Sequence, residues 1–166
     1  QPGAAETFTW NGAVEQGDER SFFTLLAPEY GDRRPPACVR FADNAAALML
    51  PQPALAVAGE YNGTAAGIAV LAADHILAHQ ATRLSLGDAL EISADSPVSV
   101  DWDLRRGIMH IAAGQATRLI APQIPGLQID GRALEPVEGA AGHHAVYEIP
   151  AGAHTLSNAR IGDEYA

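Results

Sequence analysis

The sequence predicts an all-β domain, a two-sheet antiparallel β-sandwich of jelly-roll-like or supersandwich type with about twelve short strands. Three observations carry this. The first is strict alternation: Val98, Val100, Trp102 and Leu104 fall on one side, and Ser99, Asp101 and Asp103 on the other. After Arg105-Arg106-Gly107 the alternation resumes through Ile108-Met109-His110-Ile111, so residues 97–113 read as a hairpin whose loop uses Gly107. The second is turn chemistry. Asn11-Gly12, Asn62-Gly63 and Asp130-Gly131 are dipeptides that tolerate positive φ and match the twist of a tight hairpin. The third is that apolar residues show no sustained helical period. So many strands are too many for one flat sheet, and two stacked layers bury them economically.

The elements follow in order. Residues 7–10 and 21–27 read as strands, the second stopped by Pro28, and the polar, Pro-rich stretch 29–36 is a surface loop. Residues 37–42 are a strand and Asp43-Asn44 a turn. Residues 45–50 suit a strand or one helical turn, with Pro51 and Pro53 leaving no room for a longer helix. Residues 55–61 and 64–73 flank Asn62-Gly63 as a hairpin, with Gly59 and Gly67 marking bulges or close contacts. Residues 74–86 suit a helical turn or an irregular strand. Gly87-Asp88 leads into a strand at 90–94, before the hairpin at 97–113. Strands at 116–121 and 127–129 follow, then the Asp130-Gly131 turn and a Gly/Ala-rich loop at 136–142. Residues 144–149 and 153–156, joined by Pro150-Ala151-Gly152, read as a closing hairpin. The expected organisation is one domain over 1–166, with 1–5 as a linker or mature N-terminus and 158–166 as a C-terminal tail.

Composition narrows the function. Twenty acids against ten bases give a formal charge of −10, which repels phosphate backbones and disfavours nucleic-acid binding. No apolar run reaches the ~18 residues of a membrane span. Cys38 is the single cysteine, so the chain has no internal disulfide and no Cys-based metal site; in its strand-like run a buried thiol is expected. Phosphate-binding Gly loops, dinucleotide fingerprints and the Gly-x-Ser-x-Gly elbow are missing, so no organic cofactor is expected.

Candidate chemistry lies in His and Asp residues. His75 and His79 would share a face on a helix and could hold a metal; on a strand they lie about 13 Å apart. Asp101 and Asp103, on one strand face about 7 Å apart, are the candidate metal ligands, with Ca²⁺ the ion that suits them. The same pattern arises wherever a strand faces water. Glu91 and Asp95 lie near them in sequence. His110 and His154 fall on hairpin strands, and His143-His144 point to opposite faces. Trp10, beside its turn, and Tyr30, in the Pro-rich loop, are the candidate ligand-binding aromatics, whereas the phase of Trp102 places it in the core.

Two segments carry a resemblance. Leu127-Gln128-Ile129-Asp130-Gly131-Arg132, with Tyr147-Glu148-Ile149-Pro150-Ala151-Gly152-Ala153-His154-Thr155-Leu156, resembles the closing strands of β-sandwich domains attached to secreted bacterial carbohydrate-active proteins. Ser21-Phe22-Phe23-Thr24-Leu25-Leu26-Ala27-Pro28 is similar to a strand in the sandwich region of heparinase II/III-like polysaccharide lyases. The resemblance covers about a fifth of the chain. In that family the catalytic groups belong largely to a helical toroid, so no catalytic residue carries over. It implies an accessory domain in a polysaccharide-handling context, extracellular or periplasmic. The expected function is a non-catalytic exported module with a structural or glycan-contacting role, its partners a polysaccharide or neighbouring protein domains. The alternatives are a subunit of an extracellular self-assembling polymer or surface layer, as a homo-oligomer, and a metal-dependent or polysaccharide-processing enzyme fragment.

Overall fold

The computed structural model describes residues 37–42, 44–49, 53–86, 90–139 and 143–159. They form thirteen strands and no helix: β1 (Ala37–Ala42), β2 (Ala45–Met49), β3 (Ala54–Tyr61), β4 (Thr64–Ala72), β5 (His75–Ser85), β6 (Glu91–Asp103), β7 (Ile108–Ala113), β8 (Thr117–Pro122), β9 (Gln128–Ile129), β10 (Arg132–Ala133), β11 (Glu138–Gly139), β12 (His144–Ile149) and β13 (Gly152–Ser157). The expected strands at 7–10 and 21–27, and the aromatics Trp10 and Tyr30, lie outside the described residues. So does the side chain of Cys38, whose backbone belongs to β1.

Every pairing is antiparallel, and the first seven strands form a meander, β1 to β7, each paired to the next. Its turns are set by residues that accept positive φ: Asn62 at 44° and Gly63 at 82° between β3 and β4, and Gly107 at 66° between β6 and β7. Residues 45–49 and 75–85 both resolve as strands: 45–49 pairs with β1 on one side and β3 on the other, and in 75–85 buried and exposed positions alternate at two on either side of a bulge. The stretches at 90–94 and 97–104, read separately in the sequence, join into one long β6.

Bulges bend the meander at one level. In β4 the buried positions run Thr64, Ala66, then Ala69, Leu71, a one-residue slip at Gly67-Ile68. In β5 they run Ile76, Ala78, then Ala81, where Gln80 is the extra residue and adopts φ 52°. In β6, residues 94–97 stand against the single Thr82 of β5. Pro97 offers no N–H to a ladder, so it suits this break. The freed Ser96 N–H donates to Thr117 Oγ1 at 3.1 Å.

At that break the sheet forks. The free edge of β6 pairs with β8 through Ser93 and Ala94 and with β7 through 98–103. One branch continues β7–β13–β9–β10 and the other β8–β12–β11, so the hydrogen-bonded ladder is continuous. The chain passes back and forth between the branches. The expected closing hairpin is therefore corrected. β12 pairs with β8 and β11, and β13 with β7 and β9, so Pro150-Ala151 carries the chain across rather than around a tight turn. Pro150 cannot extend a ladder, and Gly152 at φ 121° lets β13 leave in a new direction.

One core joins both branches. Trp102 and Ile76 are fully buried with Met109, Ile111 and Leu156 from one side and Leu119, Tyr147 and Ile149 from the other. The two largest side chains are polar-tipped, and each tip is satisfied. Trp102 Nε1–H donates to Ala159 O at 2.9 Å, and the Ile124 N–H donates to the Tyr147 hydroxyl at 3.1 Å.

Candidate functional site

The core claims one face of β4–β7 and β13; the strand alternation turns the other face outward. On that outer face the register builds rows across strands. One row runs Val70, Leu77, Asp101, His110, Thr155. A second has Ile68 opposite His79, and Ser99 opposite Ala112, which itself faces Ala153. A third runs His75, Asp103, Ile108, Ser157. The bulges bend these strands, and the first two rows line an open groove of about 530 Å³.

Its surface has two characters. Leu77 and Ile68 are large apolar side chains 51% and 47% exposed, beside half-buried Val70. Next to them stands a polar band. His79 Nδ1 and Ser99 Oγ share a hydrogen bond of 2.8 Å, and His110 Nδ1 and Thr155 Oγ1 share one of 3.1 Å. Each bond fixes a ring through Nδ1 and leaves Nε2 as its second hydrogen-bonding atom. Asp101 Oδ1 lies 2.9 Å from His75 Nε2 on the neighbouring strand.

Asp101 and Asp103 do share the outward face of β6. Their carboxylates nonetheless serve different partners. Asp103 accepts the Arg106 N–H at 2.9 Å and pairs with Arg106 Nε at 3.5 Å, closing the turn after β6. Among the described residues, no three His, Cys, Asp or Glu side chains gather closely enough to hold an ion. His75 and His79 lie on a strand, not a helix, which removes the geometry that would let one metal take both. Glu91 and Asp95 are exposed on the far half of β6, His143 is exposed, and His144 opens β12 away from the groove.

Among the described residues, His and Ser do not assemble a triad. The hydroxyl of Ser99 engages His79, whereas the acid Asp101 engages His75, so none of the described carboxylates stands behind the imidazole that meets the hydroxyl.

At the groove's far rim, His154 is held by the β9–β10 turn. Asp130, at φ 49°, accepts the Thr155 N–H at 2.9 Å through Oδ1 and meets His154 Nδ1 at 2.7 Å through Oδ2. These bonds, the backbone N–H first and the imidazole second, hold the Asp130 carboxyl below its usual range. The same carboxylate raises His154 above the ordinary imidazole value.

Sequence reasoning singled out Asp101 but not Leu77, Ile68, Ser99 or Thr155 as its neighbours. One signal was present: Leu77 is an apolar residue at an outward position between His75 and His79. The bulge that brings Ser99 to His79 had no comparable mark. Comparison with known proteins finds no family model, no curated protein and no solved structure that matches the chain. Among the described residues, no helix is long and apolar enough to cross a membrane.

Proposed function

We propose that the chain is a non-catalytic, exported β-sandwich module that contacts glycan through the outer groove of β4–β7 and β13. The carrying observation is the pairing of an apolar platform, Leu77 and Ile68, with a hydrogen-bonding band, His79, Ser99, Asp101, His110 and Thr155, in one open groove. Sugars present apolar C–H faces and ring hydroxyls side by side, and such a surface answers both. The separation of the acid from the Ser–His contact favours binding over catalysis. A two-layer, jelly-roll-like packing is supported by the fork at β6, by the repeated passage of the chain between branches, and by one core filled from both. The likeness of 127–132 and 147–156 to the closing strands of accessory sandwich domains points the same way, to an extracellular or periplasmic setting.

The test is depletion of the protein by insoluble polysaccharides, with Leu77→Arg as the groove variant. Leu77 is half exposed, so the variant keeps the fold, checked by circular dichroism. Retention of the native chain and loss with Leu77→Arg is expected; equal retention of both refutes the groove. A second reading, self-association into an extracellular assembly, is favoured by the same exposed Leu77 and Ile68. Sedimentation distinguishes it, since it requires oligomers that Leu77→Arg dissociates.

A further inference from the structure

Charge and hydrogen-bonding capacity select the class of ligand. We propose that the groove takes a neutral, hydroxyl-rich glycan segment, held by Asp101, His79 and His110 beside the Leu77–Ile68 platform. This rests on the groove being the binding face, as proposed above. Among the described residues no arginine lines the groove and Asp101 is the one carboxylate in the lining, and the sequence contains no lysine. A polyanionic glycan would therefore meet a fixed negative charge, no permanent cation, and a chain of formal charge −10.

Other ligand classes fit less well. An extended peptide gains its affinity by adding to an open strand edge. Here β4, β5, β6 and β7 each have strands paired on both sides, and β13 lacks a strand opposite β7 only over its first three residues, Gly152–His154, so the groove offers no long open ladder. A purely apolar ligand would cover the second Asp101 oxygen and the Nε2 atoms of His79 and His110 without pairing them, at a desolvation cost. A sugar hydroxyl both donates and accepts. It can donate to Asp101, which only accepts, and exchange bonds with the imidazole Nε2 atoms of His79 and His110. Asp101 stands directly opposite His110 across the β6–β7 ladder, and Leu77 directly opposite Asp101 across β5–β6. Acceptor, imidazole and apolar platform thus fall in one row, at the spacing of adjacent strands, about 5 Å.

The experiment is an array of neutral glycans beside uronate- and sulfate-bearing ones, probed with the full chain, Asp101→Asn, His110→Ala and Leu77→Arg. Hits are followed by calorimetry. Neutral glycans are expected to bind, with Asp101→Asn weakening them about tenfold or more, the range for a lost bond to a charged acceptor. Neutral-ligand affinity is expected to hold within about twofold between low and high salt. If only anionic glycans bind, and Leu77→Arg and His110→Ala abolish that binding, the groove stands as the site but the neutral class is overturned. If no glycan binds, or binding ignores all three variants, the groove itself is refuted and this inference falls with it.

Discussion

Tyr147→Phe removes one oxygen from a buried polar contact of the core. Tyr147 is 1% exposed on β12, and its hydroxyl accepts the N–H of Ile124, itself buried in the link between β8 and β9. Phenylalanine fills the same ring volume, so the substitution opens almost no cavity. What changes is that the Ile124 N–H loses its acceptor. A buried donor left unpaired costs about 1–3 kcal/mol, and the slightly more apolar ring returns a fraction of that. A net loss of about 1–2 kcal/mol is expected. For a chain of this size, each kcal/mol lowers Tm by about 2–4 °C. Urea unfolding of the two proteins measures the change, with the m-value unchanged because the same surface is exposed on unfolding. An unchanged or higher midpoint would refute the reasoning. It would mean that water reaches the Ile124 N–H, and that β12 does not seal the β8–β9 link against the core.

Two further outcomes follow from the structure. Trp102→Phe should cost about 2–3 kcal/mol, since it leaves Ala159 O without its donor and opens space at a fully buried site; a midpoint within about 0.5 kcal/mol of the native protein would contradict this. The Asp130–His154 pair should make stability pH-dependent. Asp130 is lowered from 3.8, so its contribution is present above that value and fades as pH falls through the lowered one. His154 is raised from 6.5, so its contribution is full below that value and fades as pH rises through the raised one. Both therefore act together between about 4 and 6.5, where native minus Asp130→Asn stability should be largest. A difference that is flat from acid to alkaline pH, measured by thermal unfolding, would remove the pair as its cause.

Local chemistry shows through the sequence wherever neighbours along the chain decide the structure. The alternation around Trp102 placed it in the core, and it is fully buried. Asn62-Gly63, Gly107 and Asp130-Gly131 take the positive φ that their turns require. Gly59 and Gly67 both sit at the register shift between β3 and β4. Asp101 and Asp103 share the outward face of β6. These outcomes depend on side-chain period and on φ, which a few consecutive residues determine.

Pairing between distant strands is a different matter. Residues 144–149 and 152–157 have every local mark of a hairpin, yet they join different branches, because their partners β8 and β7 are fixed by the fork at β6. The groove is decided the same way. Leu77, Asp101, His110 and Thr155 belong to four strands, and only register puts them in one row. Alternation states which face a side chain takes; it carries no information on which strand lies beside it. By itself, then, the sequence determined an all-β chain, its turns, its inward and outward faces and its acidic charge. The tertiary structure alone decided the fork, the bulges in β5 and β6, and the meeting of an apolar platform with a polar band. Those depend on contacts between residues far apart in the chain, where the cost of loop closure and the packing of a shared core select one pairing among many.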